Sequence, residues 1–138
     1  MTKKTIFAMM AVATMMTACA TGSKTEGGQL NGEWNVKTIN GQDLNTPNGL
    51  DTPFLGFRGT NLYGSLSCNR LTGQIQVDAK KGTIDFSQTG STRMMCHDMN
   101  TEQSMLNALG RAQKYNIKDN VLTLTDAKGK AVMVLNKK

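Results

Sequence analysis

The chain has 138 residues, with 16 lysines and arginines against 10 aspartates and glutamates, one histidine and three cysteines. That length holds one domain and not two. The basic excess is spread along the chain, with no cluster beyond adjacent pairs such as Lys80-Lys81 and Lys137-Lys138. Nucleic-acid binding calls for a basic stripe, so that partner class is excluded. A mixed, solvated surface remains, with at most a weak preference for anionic headgroups.

Residues 1–18 read as an export leader: Lys3 and Lys4, an apolar run of 11 residues over 6–16, then Thr17 and Ala18. The run is too short to cross a bilayer core of about 30 Å as a helix, which takes roughly 20 residues. Met16-Thr17-Ala18-Cys19 has the form of a bacterial lipobox, so Cys19 is expected to become the acylated first residue of the mature chain. Acyl chains contribute about 0.8 kcal/mol per buried CH₂, and two or more anchor stably. An ordinary signal peptide with a spare cysteine is the plainer alternative. Ala20 after the cysteine resembles lipoproteins sorted to an outer membrane, facing either the periplasm or the exterior. Residues 19–29 are small and polar and read as a tether. Removing the leader leaves 14 basic against 10 acidic side chains.

From residue 30 onward most segments alternate with period two, the mark of strands with one buried face. Trp34 and Val36 point one way, and Asn40-Gly41 then signals a tight turn. Phe54 to Phe57 and Leu62 to Leu66 continue as short strands. Gln74–Asp78 and Thr83–Ser87 form a hairpin around Lys80-Lys81-Gly82. Asn100-Thr101-Glu102-Gln103 resembles a capping box. Met105, Leu106, Leu109 and Ala112 follow at helical spacing, and the helix ends near Gly110. Tyr115–Ile117, Val121–Leu124 and Ala131–Leu135 give three final strands, turning at Asp119-Asn120 and Lys128-Gly129. The expected fold is α+β: a strongly curved, barrel-like antiparallel sheet of about eight strands packed on a single helix.

Cys68 and Cys96 remain. An exported chain meets an oxidising compartment, where two leftover cysteines usually pair, although free thiols or a metal site are the alternatives. Closing the 28-residue separation stabilises by about 3–4 kcal/mol in the chain-entropy account.

Gly32-x-Trp34-x-Val36, the block Gly64 to Gly73 containing Cys68-Asn69-Arg70, Thr92-Arg93-Met94-Met95-Cys96, a helix, and Leu122-Thr123-Leu124 occur in that order. Together they resemble the META-domain family, which includes the HslJ-type lipoproteins of bacterial envelopes. The likeness runs from about Leu30 to Leu135. It implies a curved sheet on one helix, no known catalytic residues, no cofactor, and roles associated with envelope stress and secretion. It also implies structural roles: Asn69 and Gly73 as turn formers, Thr92 and Met94 as packing around the second cysteine.

Met94-Met95-Cys96-His97-Asp98-Met99 concentrates soft donors. Met94, Met95, His97 and Met99, with Cys96 if reduced, make a Cu(I)-type site the alternative reading, against adaptable thioether packing. Cys96-His97-Asp98 is not a triad, because three consecutive residues cannot converge on one atom. Asp43, Asp51, Asp78 and Asp85 are scattered among turns and solvent faces. Trp34, Tyr63 and Tyr115 are candidates to line a small-ligand groove on the concave face, and Asn69-Arg70 to meet a partner's carboxylate. The function expected is therefore a non-catalytic, lipid-anchored envelope protein that binds or supports another component.

Overall fold

Among the described residues nine strands and one helix follow one another: β1 (Gly32–Ile39), β2 (Gln42–Asp43), β3 (Phe54–Arg58), β4 (Asn61–Ser65), β5 (Arg70–Asp78), β6 (Thr83–Ser91), α1 (Asn100–Arg111), β7 (Lys114–Lys118), β8 (Val121–Thr125) and β9 (Ala131–Lys137). The computed structural model describes residues 29–45, 52–97 and 99–138. The expected leader, Cys19, the tether up to residue 28, Asp51 and Asp98 lie outside the described residues.

Sheet neighbours run β2-β1-β3-β4-β5-β6-β7-β8-β9, and an added antiparallel β1–β9 pairing closes the ring. Trp34 accordingly pairs with Leu55 on one side and with Lys137 on the other. Two hairpins turn where sequence places them. Asn40 and Gly41 have φ of 51° and 79°, Asp119 and Asn120 φ of 52° and 60°. Successive positive φ values match the right-handed twist of the flanking strands. The short β2 beyond Asn40-Gly41 is the strand that alternation could not reveal, since two exposed polar residues carry no period.

Burial alternates as the pattern predicts: Trp34 and Val36, Ile75 and Val77, Ile84 and Phe86, Leu122 and Leu124 all point inward. The concave face is filled by these side chains together with Leu55, Phe57, Leu71 and Leu135. The surface that a small-ligand carrier would use is thus occupied by the protein's own core. Trp34 belongs to that core, its indole N–H donating to the Leu30 carbonyl at 2.7 Å. Tyr63 stands on the outer face over Gly56, its cross-strand partner, where any Cβ would strike the ring. Tyr115 is half-buried on β7, so the three aromatic residues do not line one groove.

The ring is thinnest between β6 and β7, which share the single pair Thr83↔Lys114. α1 connects these strands and packs against β9, β1 and β6, burying Met105, Ala108 and Leu109, with Ala112 just beyond its end. Leu106 does not join them and is 37% exposed. The expected capping box does not form: Met99 is the N-cap, and Asn100 is already the first helical residue. Tertiary bonds around Asn69 and Glu102, described below, fix where this helix begins.

The antiparallel order sorts the connections onto two poles. One pole holds the chain entry at Leu30, where Gly59 donates its N–H to the Asn31 side chain at 2.8 Å, with the β5–β6 and β7–β8 turns and the end of β9. The opposite pole holds the β4–β5 loop, the end of β6 and the strap from Thr92 to Met99 that leads into α1.

Candidate functional site: the cysteine-bridged strap

The β4–β5 loop turns sharply, with Leu66 N–H bonded to the Asn69 carbonyl at 2.8 Å and Ser67 at φ 92°. This turn drives the Asn69 side chain inward, to 1% exposure. There the amide uses its full capacity of two donors and two acceptor sites. Its Nδ2 donates to the Met94 carbonyl at 3.0 Å and to Glu102 Oε2 at 2.9 Å. Its Oδ1 accepts the Thr92 hydroxyl at 2.8 Å and the Met94 N–H at 2.7 Å. The Thr92 hydroxyl oxygen also accepts the Arg70 N–H at 3.0 Å. One side chain therefore ties the loop, the strap and the helix together.

The family likeness gave Asn69 and Gly73 as turn formers and Met94 as packing; the structure overturns Gly73 and adds to the other two. Asn69 is a buried hub whose own main chain happens to turn. Gly73 lies inside β5 opposite Thr89, where a Cβ would meet the backbone at Gln88 O and Thr89 Cα. It serves close strand approach, not a turn. Met94 contributes its backbone, while its side chain is 58% exposed. Thr92 does support the strap beside the second cysteine, through its hydroxyl.

Cys68 and Cys96 form a disulfide, their Cα atoms 6.2 Å apart, within the range such a bridge requires. The bridge pins the strap at its far end, as Asn69 pins its middle. Cys96 is thereby removed as a thiolate ligand or nucleophile. Of the remaining soft donors, Met94 is 58% and Met95 89% exposed, His97 is exposed and Met99 partly buried. Among the described residues no three His, Cys, Asp or Glu side chains gather as a metal-holding group. Arg70, at the start of β5, is exposed and available to an approaching group, whereas Asn69 is committed within the protein.

Two grooves flank the strap. One, of about 460 Å³, is lined by Ser65, Cys68, Arg70, Thr92 and Met94. The other, of about 280 Å³, is bounded by Arg93, Met95, Met99, Glu102 and Leu106 among others. A larger, polar groove of about 590 Å³ follows the β6–β7 seam, with Asp78 and Asp85 at its wall. Both carboxylates accept local N–H groups: Asp78 holds the β5–β6 turn through Lys80 and Lys81 at 3.0 and 3.2 Å, and Asp85, within β6 where the β5–β6 register shifts, accepts the Ser87 N–H at 2.6 Å. The Ser87 bonds hold the Asp85 carboxyl below its ordinary pKa. Tyr115 is pushed the other way, first by burial and then by the Asp78 charge.

Glu102 is the residue that motif reading passed over. It is 3% exposed, and the signal was present: positions 102, 105, 109 and 112 form one helical stripe, and a carboxylate on an apolar stripe demands a buried partner.

The sequence model of the META domain matches residues 28–138. A comparison with curated protein sequences gives no match. Among solved structures, an NMR structure of a protein from Burkholderia xenovorans aligns at 21% identity with a TM-score of 0.61, covering 81% of this chain and 86% of that one. A second NMR structure aligns at 21% identity and TM-score 0.60, covering 78% and 89%. The crystal structure of a DUF4847 family protein from Bacteroides vulgatus aligns at 17% identity and TM-score 0.55, covering 78% and 93%. At such identities the likeness carries the fold alone.

Proposed function

From the premise that this chain belongs to the META-domain family, its domain spanning residues 28–138, we propose a non-catalytic envelope lipoprotein, anchored through acyl chains on Cys19. In this reading the domain binds or supports another envelope component and takes part in stress protection, with an outer-membrane address facing the periplasm or the exterior. One observation carries the reading: the domain's most elaborate polar constellation, around Asn69, is closed upon itself. Every hydrogen-bonding position of that amide is used to hold the strap. A reacting site keeps donors or a base aimed at where substrate will sit; this one spends them on rigidity. The bridge between Cys68 and Cys96 supports an oxidising, exported location. The lipobox residues Met16 to Cys19 support the anchor.

Cell fractionation tests the anchor. The native chain is expected with the membranes, resistant to high salt, and the Cys19→Ser chain in the soluble fraction. A native chain recovered in the soluble fraction would end the lipoprotein reading.

A further inference from the structure

Resting on that binding role, we propose that the strap is the docking surface, and that it takes a protein segment presenting an apolar side chain flanked by carboxylates. Met94, Met95 and Leu106 are the large apolar side chains exposed among the described residues, and all three border one groove beside the strap. Scattered apolar exposure is ordinary, but a gathered patch marks an interaction site. The backbone beneath the patch is fixed by the Asn69 bonds to both Met94 amide groups and by the bridge at Cys96. The methionine side chains stay unbranched and adaptable. A fixed rail with pliable apolar groups lowers the ordering cost of binding.

Charge selects the partner. Among the described residues, the charged side chains lining the two strap grooves are Arg70, Arg93 and Glu102. Glu102 is buried and bonded to Asn69, so the charge presented outward is that of two guanidinium groups. Each suits bidentate carboxylate recognition. The 460 Å³ groove brings Arg70 together with Met94 and with Cys68 of the disulfide, a lining that accepts an apolar side chain next to an acidic one. Position argues for a protein and against the lipid surface. The strap lies at the pole opposite Leu30, where the chain enters from Cys19. An 11-residue tether over 19–29 reaches at most about 35–40 Å, and the strap lies at the end of the domain farther from where that tether joins.

The test is photo-crosslinking in intact cells with full-length chains carrying p-benzoylphenylalanine at Met95 or, as the opposite-pole control, at Lys81. Met95 is 89% exposed, so the replacement does not disturb the core. The expected result is a protein adduct from position 95 and none from 81, with the attached peptide rich in Asp or Glu around apolar residues. Adding Arg70→Glu and Arg93→Glu should reduce the adduct roughly tenfold. In parallel, a synthetic Glu-Leu-Asp-Phe-Glu peptide should shift the Met94 and Met95 methyl resonances and leave the buried Met105 and Met133 unmoved, while a lysine-substituted peptide shifts none. Equal adducts at both poles, lipid adducts, a peptide without carboxylates, no adduct at all, or indifference to charge reversal would each overturn the proposal. Fractionation of the same cells separates the two failures: a membrane-bound chain without these adducts loses the docking surface only, and a soluble chain loses the anchored reading beneath it.

Discussion

The Asn69 amide donates to Glu102 Oε2 across 2.9 Å, with the two residues 1% and 3% exposed and separated by 33 positions in sequence. This single bond connects the β4–β5 loop to the first turn of α1. Breaking it by Asn69→Ala leaves a buried carboxylate and the Met94 amide groups without partners, at a cost of about 3–5 kcal/mol. A double-mutant cycle with Glu102→Ala should return a coupling of about 1–3 kcal/mol. Urea unfolding of the four proteins measures both quantities, and a coupling near zero would mean the pair acts independently.

Removing the bridge with Cys68→Ala and Cys96→Ala should cost about 3–4 kcal/mol for a separation of 28 residues. For a domain of this size that lowers Tm by roughly 15 °C. Calorimetry of the native and double-alanine proteins decides it. The strap's amides should also exchange faster in the variant, because only the Asn69 bonds and the Thr92–Arg70 bonds then tie the strap to the β4–β5 loop.

Two glycines predict opposite outcomes in neighbouring strands. Gly73→Ala drives a methyl into the β6 backbone at Gln88 and Thr89 and should cost about 2–4 kcal/mol. At Gly90 nothing lies within 4 Å of an added Cβ, so Gly90→Ala should stay within about 0.5 kcal/mol of native. Chemical denaturation of both variants separates close strand approach from a general intolerance of substitution.

Asp126 caps the β8–β9 turn, its Oδ1 accepting the Lys128 and Lys130 N–H groups, each at 2.9 Å. The Lys130 bond foremost holds its carboxyl below the ordinary range; desolvation opposes it, and the Lys128 bond and the Arg111 and Lys128 charges reinforce it. A depressed folded pKa gives stability that is complete above the unfolded value of about 3.9 and lost as pH falls through the folded one. Side-chain carboxyl NMR should place the midpoints of Asp126 and Asp85 below 3.9, and Asp126→Asn should remove the first of these contributions to acid sensitivity.

The strands were legible because one face of each is buried: Trp34 and Val36, Ile75 and Val77, Leu122 and Leu124 write period two into the chain. Asn40-Gly41 and Asp119-Asn120 announced their turns through residues that tolerate positive φ. What alternation could not supply was long-range partnership. Ring closure rests on β1 pairing with β9, and nothing local in Val36 or Leu135 encodes it. The capping-box pattern at Asn100 was overridden because Asn69, far off in sequence, holds Glu102 in place. Asn69 itself looked like a turn residue because Asn beside Cys in a polar loop usually is one. Its four hydrogen bonds form only when β6 and α1 arrive. The lone carboxylate on the helical stripe was the one clue that such a partner existed.

The sulfurs give the most direct check on the account as a whole. Intact-mass analysis of protein extracted from membranes should find a chain beginning at Cys19, increased by its acyl groups, and two hydrogens lighter for the bond between Cys68 and Cys96. A chain without added lipid that titrates two free thiols would contradict it.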